Sequence, residues 1–143
     1  MSTILVAADA PWVRDQVRSA FVSPGQEVVE VTRGQDVVAK VVALEPDLVV
    51  LDLQIGNMGG IATAIDLHLE TSAGRAPHVP ILLLVDREAD RFLARRAAVD
   101  AELVKPVSPA TLRRTAQQLL SAAPTATPGS PGRDKDRPAP ASI

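Results

Sequence analysis

Five strand-like runs alternate with five helical patterns over the first 121 residues, and this alternation constrains the fold more than any other feature. The runs are short and mostly apolar, as buried strands are: Ile4–Ala7, Glu27–Val31, Leu48–Leu51, Ile81–Val85 and Ala101–Val104. The stretches between them carry apolar residues at helical spacing and begin near Pro11, Gly34, Ile61, Arg87 and Ser108. Strands and helices that alternate in this way form a parallel sheet covered by helices on both faces.

Right-handed crossovers leave few ways of connecting five such repeats. The strand order 2-1-3-4-5 suits a domain of about 120 residues. We therefore predict an α/β, flavodoxin-like (βα)5 fold, a three-layer sandwich with one parallel sheet. In this order the sheet has its switch point between the first and third strands, and the functional crevice lies at the carboxyl edge there.

Three charged residues follow strands at that edge. Asp9 follows the first strand, Asp52 the third and Lys105 the fifth. A single strand-end aspartate usually starts a turn or caps a helix. Two carboxylates and an ammonium at one edge can act together on a phosphoryl group. The carboxylates can hold Mg2+, and the ammonium can pair with a phosphoryl oxygen. One of the two aspartates is then placed to attack phosphorus and form an aspartyl phosphate. Pro106 favours a tight turn after Lys105, with a cis peptide bond as one form.

The composition excludes several other classes of protein. The chain has no cysteine, so disulfides and thiolate metal sites are excluded, and its two histidines argue against a histidine zinc site or a Ser-His-Asp triad. A formal net charge of −2 argues against direct binding of DNA. The N-terminal residues do not have the pattern of a signal peptide, and no apolar run approaches the ~20 residues of a membrane span. These features predict a cytoplasmic protein.

The residues from Ala122 to Ile143 have a different composition, dominated by Pro, Ala, Gly, Thr and Ser. Such a segment has too few large apolar side chains to offset the entropy lost on ordering. We therefore predict one domain over residues 1–121 and a disordered Pro/Ala-rich tail over residues 122–143. Because this tail is too short for a DNA-binding domain, output is expected through a partner surface or self-association.

Several motifs together resemble the receiver domain of bacterial two-component response regulators. The similarity covers residues 1 to about 121 and rests on Ile4–Pro11, Pro46–Leu53, Met58–Gly60, Val79–Leu84 and Lys105–Pro106. It implies that Asp52 receives a phosphoryl group from a histidine kinase or a phosphotransfer protein and that Lys105 contacts that group. It also implies that Asp9, Asp52 and the backbone carbonyl of Gln54 bind Mg2+. A domain of this kind is not an enzyme beyond its own phosphotransfer and dephosphorylation.

Three positions depart from the family pattern and make this an atypical, single-domain member. The first acid of the usual pair is Ala8, which predicts weak Mg2+ binding. The switch Ser or Thr is Val85, and the switch Tyr or Phe is Glu102. Valine cannot donate a hydrogen bond to a phosphoryl oxygen, so the usual coupling between hydroxyl and ring is not expected.

Residues near these positions are open to two interpretations. Asp86, directly after the fourth strand, is interpreted as a surface N-cap of the helix beginning at Arg87; the alternative is a second anion that repels phosphate. Trp12 is expected to be partly buried beside the crevice. The arginines of the fourth helix, Arg91, Arg95 and Arg96, form either a solvated face or a partner surface with Asp100 and Glu102.

Two functions follow from this pattern. The first is a receiver that accepts a phosphoryl group on Asp52 with a modified switch. The alternative is a phosphorylation-independent pseudo-receiver that acts as a protein-protein interaction module. In both, an output protein or a second copy of the chain would bind the face formed by the fourth helix, fifth strand and fifth helix. An unrelated flavin protein or phosphatase is disfavoured, since the first loop is not a phosphate cradle and stacking aromatic residues are lacking.

Overall fold

The computed structural model describes residues 2–56 and 58–122 and confirms the predicted fold. One sheet contains five parallel strands in the order β2-β1-β3-β4-β5. The strands are β1 (Ser2–Ala7), β2 (Gln26–Val31), β3 (Leu48–Asp52), β4 (Ile81–Val85) and β5 (Ala101–Val104). The α-helices are α1 (Pro11–Ala20), α2 (Val37–Leu44), α3 (Gly60–Ser72), α4 (Arg91–Arg96) and α5 (Pro109–Ala122).

The sheet divides the core into two apolar layers. Successive side chains of a strand point to opposite faces, so Val49 and Leu51 of β3 lie in one layer, while Leu48 and Val50 lie in the other. The first layer is closed by residues of α2, α3 and α4, and the second by residues of α1 and α5. Strand β3 is central and its five residues are all buried. The carboxyl edge of the sheet is therefore held by packing on both sides.

Two predicted helices begin with a 3-10 turn. Gly34–Asp36 precedes α2, and Glu88–Asp90 precedes α4, which ends at Arg96. Asp90, which is buried, accepts hydrogen bonds from the backbone N–H of Arg87 at 3.0 Å and from its Nη2 at 3.1 Å. The N-cap of this segment is Arg87, and Asp90 completes a capping box with it, so the interpretation of Asp86 as the N-cap was wrong.

The fifth helix begins as predicted, because the Ser108 hydroxyl oxygen accepts a hydrogen bond from the backbone N–H of Thr111 at 3.2 Å. No helix within residues 2–56 and 58–122 is both long and apolar enough to cross a membrane. Residues 123–143 of the predicted tail lie outside the described residues, so its disorder and the domain boundary stay predictions.

Candidate functional site

Asp52 is the last residue of β3, and its carboxylate is almost completely enclosed. The residue is 1 % exposed, although it carries a charge. It is held there because β3 pairs with β1 on one side and with β4 on the other, where Asp52 lies opposite Leu84. A buried carboxylate needs a cation or several hydrogen bonds to offset its desolvation.

Lys105 supplies that cation. It follows β5, and its side chain is only 8 % exposed. The Lys105 ammonium donates a hydrogen bond to Oδ1 of Asp52 and lies 2.9 Å from Oδ1 of Asp86. Burial by itself lowers the pKa of Lys105, but the two carboxylates outweigh it and hold this pKa above its ordinary value. The peptide bond between Lys105 and Pro106 is cis.

Asp9 lies at the end of β1, next to β3 in the sheet, and its side chain is exposed. Its backbone oxygen accepts a hydrogen bond from Nη1 of Arg14 at 2.8 Å. The loop that follows Asp52 approaches the carboxylate of Asp9, since a Cβ atom at Gly56 would lie 3.3 Å from Oδ2 of Asp9. The fold thus brings Asp9, Asp52 and Lys105 to one edge of the sheet, as the sequence predicts.

Three carboxylate oxygens at this edge have no basic partner among the described residues, the two of Asp9 and Oδ2 of Asp52. Among the described residues, no basic side chain pairs with the Asp9 carboxylate, and no donor reaches Oδ2 of Asp52. Mg2+ binds one or two carboxylates and keeps several waters, so this donor set fits it. In the described part of the chain no cluster of three or more Asp, Glu, His or Cys side chains could hold a metal. Buried Ala8 stands where the family has the additional acid.

Asp86 belongs to the site, although the sequence favoured a helix cap and offered an anion beside the phosphate only as the alternative. Its Oδ1 pairs with Lys105, and its Oδ2 accepts a hydrogen bond from Nε2 of Gln54 at 2.8 Å. The hydrogen bond from Lys105 is the main reason why the pKa of Asp86 is lowered. The signal in the sequence was an acid directly after β4, at the same edge as Asp52.

Val85 and Glu102, which the resemblance places at the switch positions, lie in different surroundings. Val85 is completely buried in the apolar layer that faces α2, α3 and α4. Glu102 accepts a hydrogen bond from Nη1 of Arg91 at 3.0 Å, and the same guanidinium binds Glu88 through Nε at 2.9 Å. Glu102 is therefore engaged within the chain. Asp100 is engaged as well, since it accepts the backbone N–H of Ile81 at 2.7 Å.

Trp12 lies beside the site but is more exposed than predicted. It is 56 % exposed, and its ring centroid is 5.7 Å from Nζ of Lys105. This distance is within the range of a cation–π contact. Because Trp12 is the single tryptophan of the chain, its fluorescence reports on the surroundings of Lys105.

The family profile of the response regulator receiver domain matches residues 4–117, so the chain belongs to this family. Members of the family are receiver domains of two-component systems.

Particular relatives support the same conclusion. Protein PilH of Pseudomonas aeruginosa is 26% identical over 121 residues, which are 85% of this chain and 99% of PilH. The nitrate/nitrite response regulator protein NarL of Escherichia coli K12 is 29% identical over 122 residues, 84% of this chain but 55% of NarL. The chain therefore spans almost all of PilH and about half of NarL.

Solved structures confirm the fold. The chemotaxis protein CheY4 of Vibrio cholerae has a TM-score of 0.72 at 23% identity and covers 83% of this chain and 98% of its own. The receiver domain of Francisella response regulator 1452 has a TM-score of 0.73 at 18% identity. The match covers 86% of this chain and 99% of the Francisella chain. At these identities the similarity concerns the fold alone.

Proposed function

We propose that this receiver domain accepts a phosphoryl group on the carboxylate of Asp52. The observation that carries the proposal is the buried ion pair of Asp52 and Lys105 at the carboxyl edge of the sheet. A nucleophile and a cation are placed together there, and a second carboxylate, Asp9, follows the neighbouring strand by two residues. Phosphoryl transfer needs this combination, because catalysis consists mainly of positioning and of charge stabilisation.

The reaction would transfer phosphorus from a donor nitrogen to an aspartate oxygen. A carboxylate oxygen of Asp52 attacks phosphorus, and an O–P bond forms. The P–N bond to the phosphohistidine of a histidine kinase or phosphotransfer protein breaks, and its electron pair goes to the imidazole nitrogen. Lys105 pairs with the negative oxygens of the transferred group.

Receiver domains typically bind Mg2+ at their acidic pocket. In this chain Asp9, Asp52 and the backbone carbonyl of Gln54 would hold the ion, which when bound offsets negative charge on the phosphoryl oxygens. Ala8 supplies no ligand, so we expect weaker Mg2+ binding than in receivers that carry two acids after β1.

A second candidate function has a specific observation in its favour. Val85 has no hydroxyl group and is buried, and Glu102 is paired with Arg91. A module without the usual switch would bind its partner whether or not Asp52 is modified. Under this alternative, Asp52→Asn leaves binding of the output partner unchanged, whereas a phosphorylation-dependent receiver loses its response. The α4–β5–α5 face is the surface on which we would map that partner or a second copy.

The direct test of the proposed function is incubation with acetyl phosphate and Mg2+, followed by intact mass spectrometry. The wild-type protein is expected to gain the mass of one phosphoryl group, and Asp52→Asn to gain none, because an amide is not nucleophilic at neutral pH. Asp66→Asn is the matched control, since it removes a carboxylate on α3 by the same change.

Two results would refute the proposal. One is an unmodified wild-type protein that is shown to be folded. The other is equal modification of the wild type and Asp52→Asn, which would place the phosphoryl group elsewhere.

A further inference from the structure

The Lys105 ammonium lies between two carboxylates, and one of them is not needed for phosphoryl acceptance. One hydrogen bond goes to Asp52, and Oδ1 of Asp86 is 2.9 Å away. An ammonium has three donors, so two are engaged with carboxylates. The Trp12 ring lies 5.7 Å from the same nitrogen. A phosphoryl oxygen that arrives at Asp52 therefore meets a lysine that already has an anionic partner.

The Asp86 carboxylate is held in place and not free to turn into solvent. Both of its oxygens are engaged, Oδ1 by Lys105 and Oδ2 by Nε2 of Gln54 at 2.8 Å. Its side chain is 32% exposed, so it lies at the mouth of the site. Gln54 follows Asp52 by two residues. Its hydrogen bond to Asp86 therefore joins the loop after β3 to the residue after β4.

We propose that Asp86 is a positioning residue that competes with the phosphoryl group for Lys105 and so weakens phosphoryl binding at Asp52. This inference rests on the proposed function of Asp52. The Asp86 carboxylate resembles a phosphoryl oxygen in charge and in the donors that it accepts. One donor of Lys105 is left for the phosphoryl group, but Asp86 already offsets part of the positive charge of the ammonium. The negative charge of Asp86 also stays close to the new anion.

The competition has a consequence opposite to that of an ordinary structural contact. Removing a residue that merely supports the site would weaken ligand binding. Removing a competitor strengthens it, because one negative charge fewer then offsets the ammonium and repels the ligand. A charge-assisted hydrogen bond is strong enough for its release to change an affinity about tenfold.

The test is the affinity for beryllofluoride, a stable mimic of the phosphoryl group, at a fixed Mg2+ concentration, followed by Trp12 fluorescence. We expect Asp86→Asn to bind beryllofluoride about tenfold more tightly than the wild type. Glu88→Gln is the matched control, because it removes one negative charge two residues away, at a side chain that is 78% exposed and pairs with Arg91. Its affinity should equal that of the wild type. Asp86→Ala is the second variant and should bind tightly as well.

The possible results separate this inference from the proposed function. If the wild type binds beryllofluoride and folded Asp86→Asn and Asp86→Ala bind no more tightly, the competition does not exist, although the function of Asp52 stands. Weaker binding by both variants would show that Asp86 supports the site and would also overturn the inference. If neither the wild type nor the folded variants bind, the proposed function fails and this inference fails with it.

Discussion

Lys105→Met is expected to lower the free energy of unfolding by about 3–5 kcal/mol, the cost of removing one partner from a buried ion pair. The variant leaves the carboxylate of Asp52 1% exposed and without its cation. Methionine has a similar length and fills the same space, so packing is largely kept. The same change removes the ammonium that would pair with the phosphoryl group, so we also expect phosphoryl binding to weaken.

Urea denaturation of both proteins at neutral pH measures this effect. Lys40→Met is the control, because Lys40 is an exposed lysine of α2 and makes no ion pair with the described residues. A loss of stability no larger in Lys105→Met than in Lys40→Met would mean that the central ion pair contributes nothing.

The contribution of the Lys105 ion pairs to stability depends on pH, and the shifted pKa values of Lys105 and Asp86 give the direction of this dependence. The pKa of Lys105 is raised above its ordinary 10.5, so its contribution is complete below 10.5 and is lost as pH rises through the higher folded value. The pKa of Asp86 is lowered below 3.8, mainly by the hydrogen bond from Lys105, so its contribution is complete above 3.8 and is lost as pH falls. The ion pair between Lys105 and Asp86 should therefore be fully formed at neutral pH.

Gly60→Ala is expected to destabilise the domain by about 1–3 kcal/mol, the usual cost of overpacking, although alanine normally favours a helix. Gly60 is the first residue of α3, and a Cβ atom there would lie 2.4 Å from the backbone oxygen of Asp52. It would also lie 3.0 Å from the Asp52 carbonyl carbon. These are backbone atoms, so no rotamer change relieves the contact, and the end of β3 must move.

Gly56→Ala is the matched control for this loop. The three atoms nearest to its Cβ atom would all belong to the Asp9 side chain, the closest at 3.3 Å, and this side chain is exposed. Thermal or urea unfolding of the two variants compares the effects directly. Equal stability of Gly60→Ala and the wild type would contradict the close approach of α3 to the strand end.

Sequence patterns predicted the sheet well because its strands are distinct apolar runs. β4 and β5 have the predicted bounds, and strand order followed from crossover handedness and domain size. The convergence of Asp9, Asp52 and Lys105 required only the topology. Each of these residues follows a strand, and parallel strands end at one edge.

The contacts around Asp86 were not predictable in this way. They depend on the distances between side chains that follow β3, β4 and β5, and local patterns contain no such distances. Asp90 accepts the backbone N–H of Arg87 before α4. The carboxylate of Asp86 instead contacts Lys105 and Gln54. The sequence offered Asp86 alone as a cap, and the capping box of Arg87 and Asp90 appears only in the structure.

The most direct test of the central claim is to locate the phosphoryl group within the chain. After incubation with acetyl phosphate and Mg2+, borohydride reduction converts an aspartyl phosphate into homoserine, and trypsin then releases the peptide of residues 41–75. This peptide contains Asp47, Asp52 and Asp66, so tandem mass spectrometry distinguishes the target from two internal controls. Our account predicts homoserine at position 52 alone. Homoserine at position 47 or 66, or an unreduced peptide from folded protein, would contradict it.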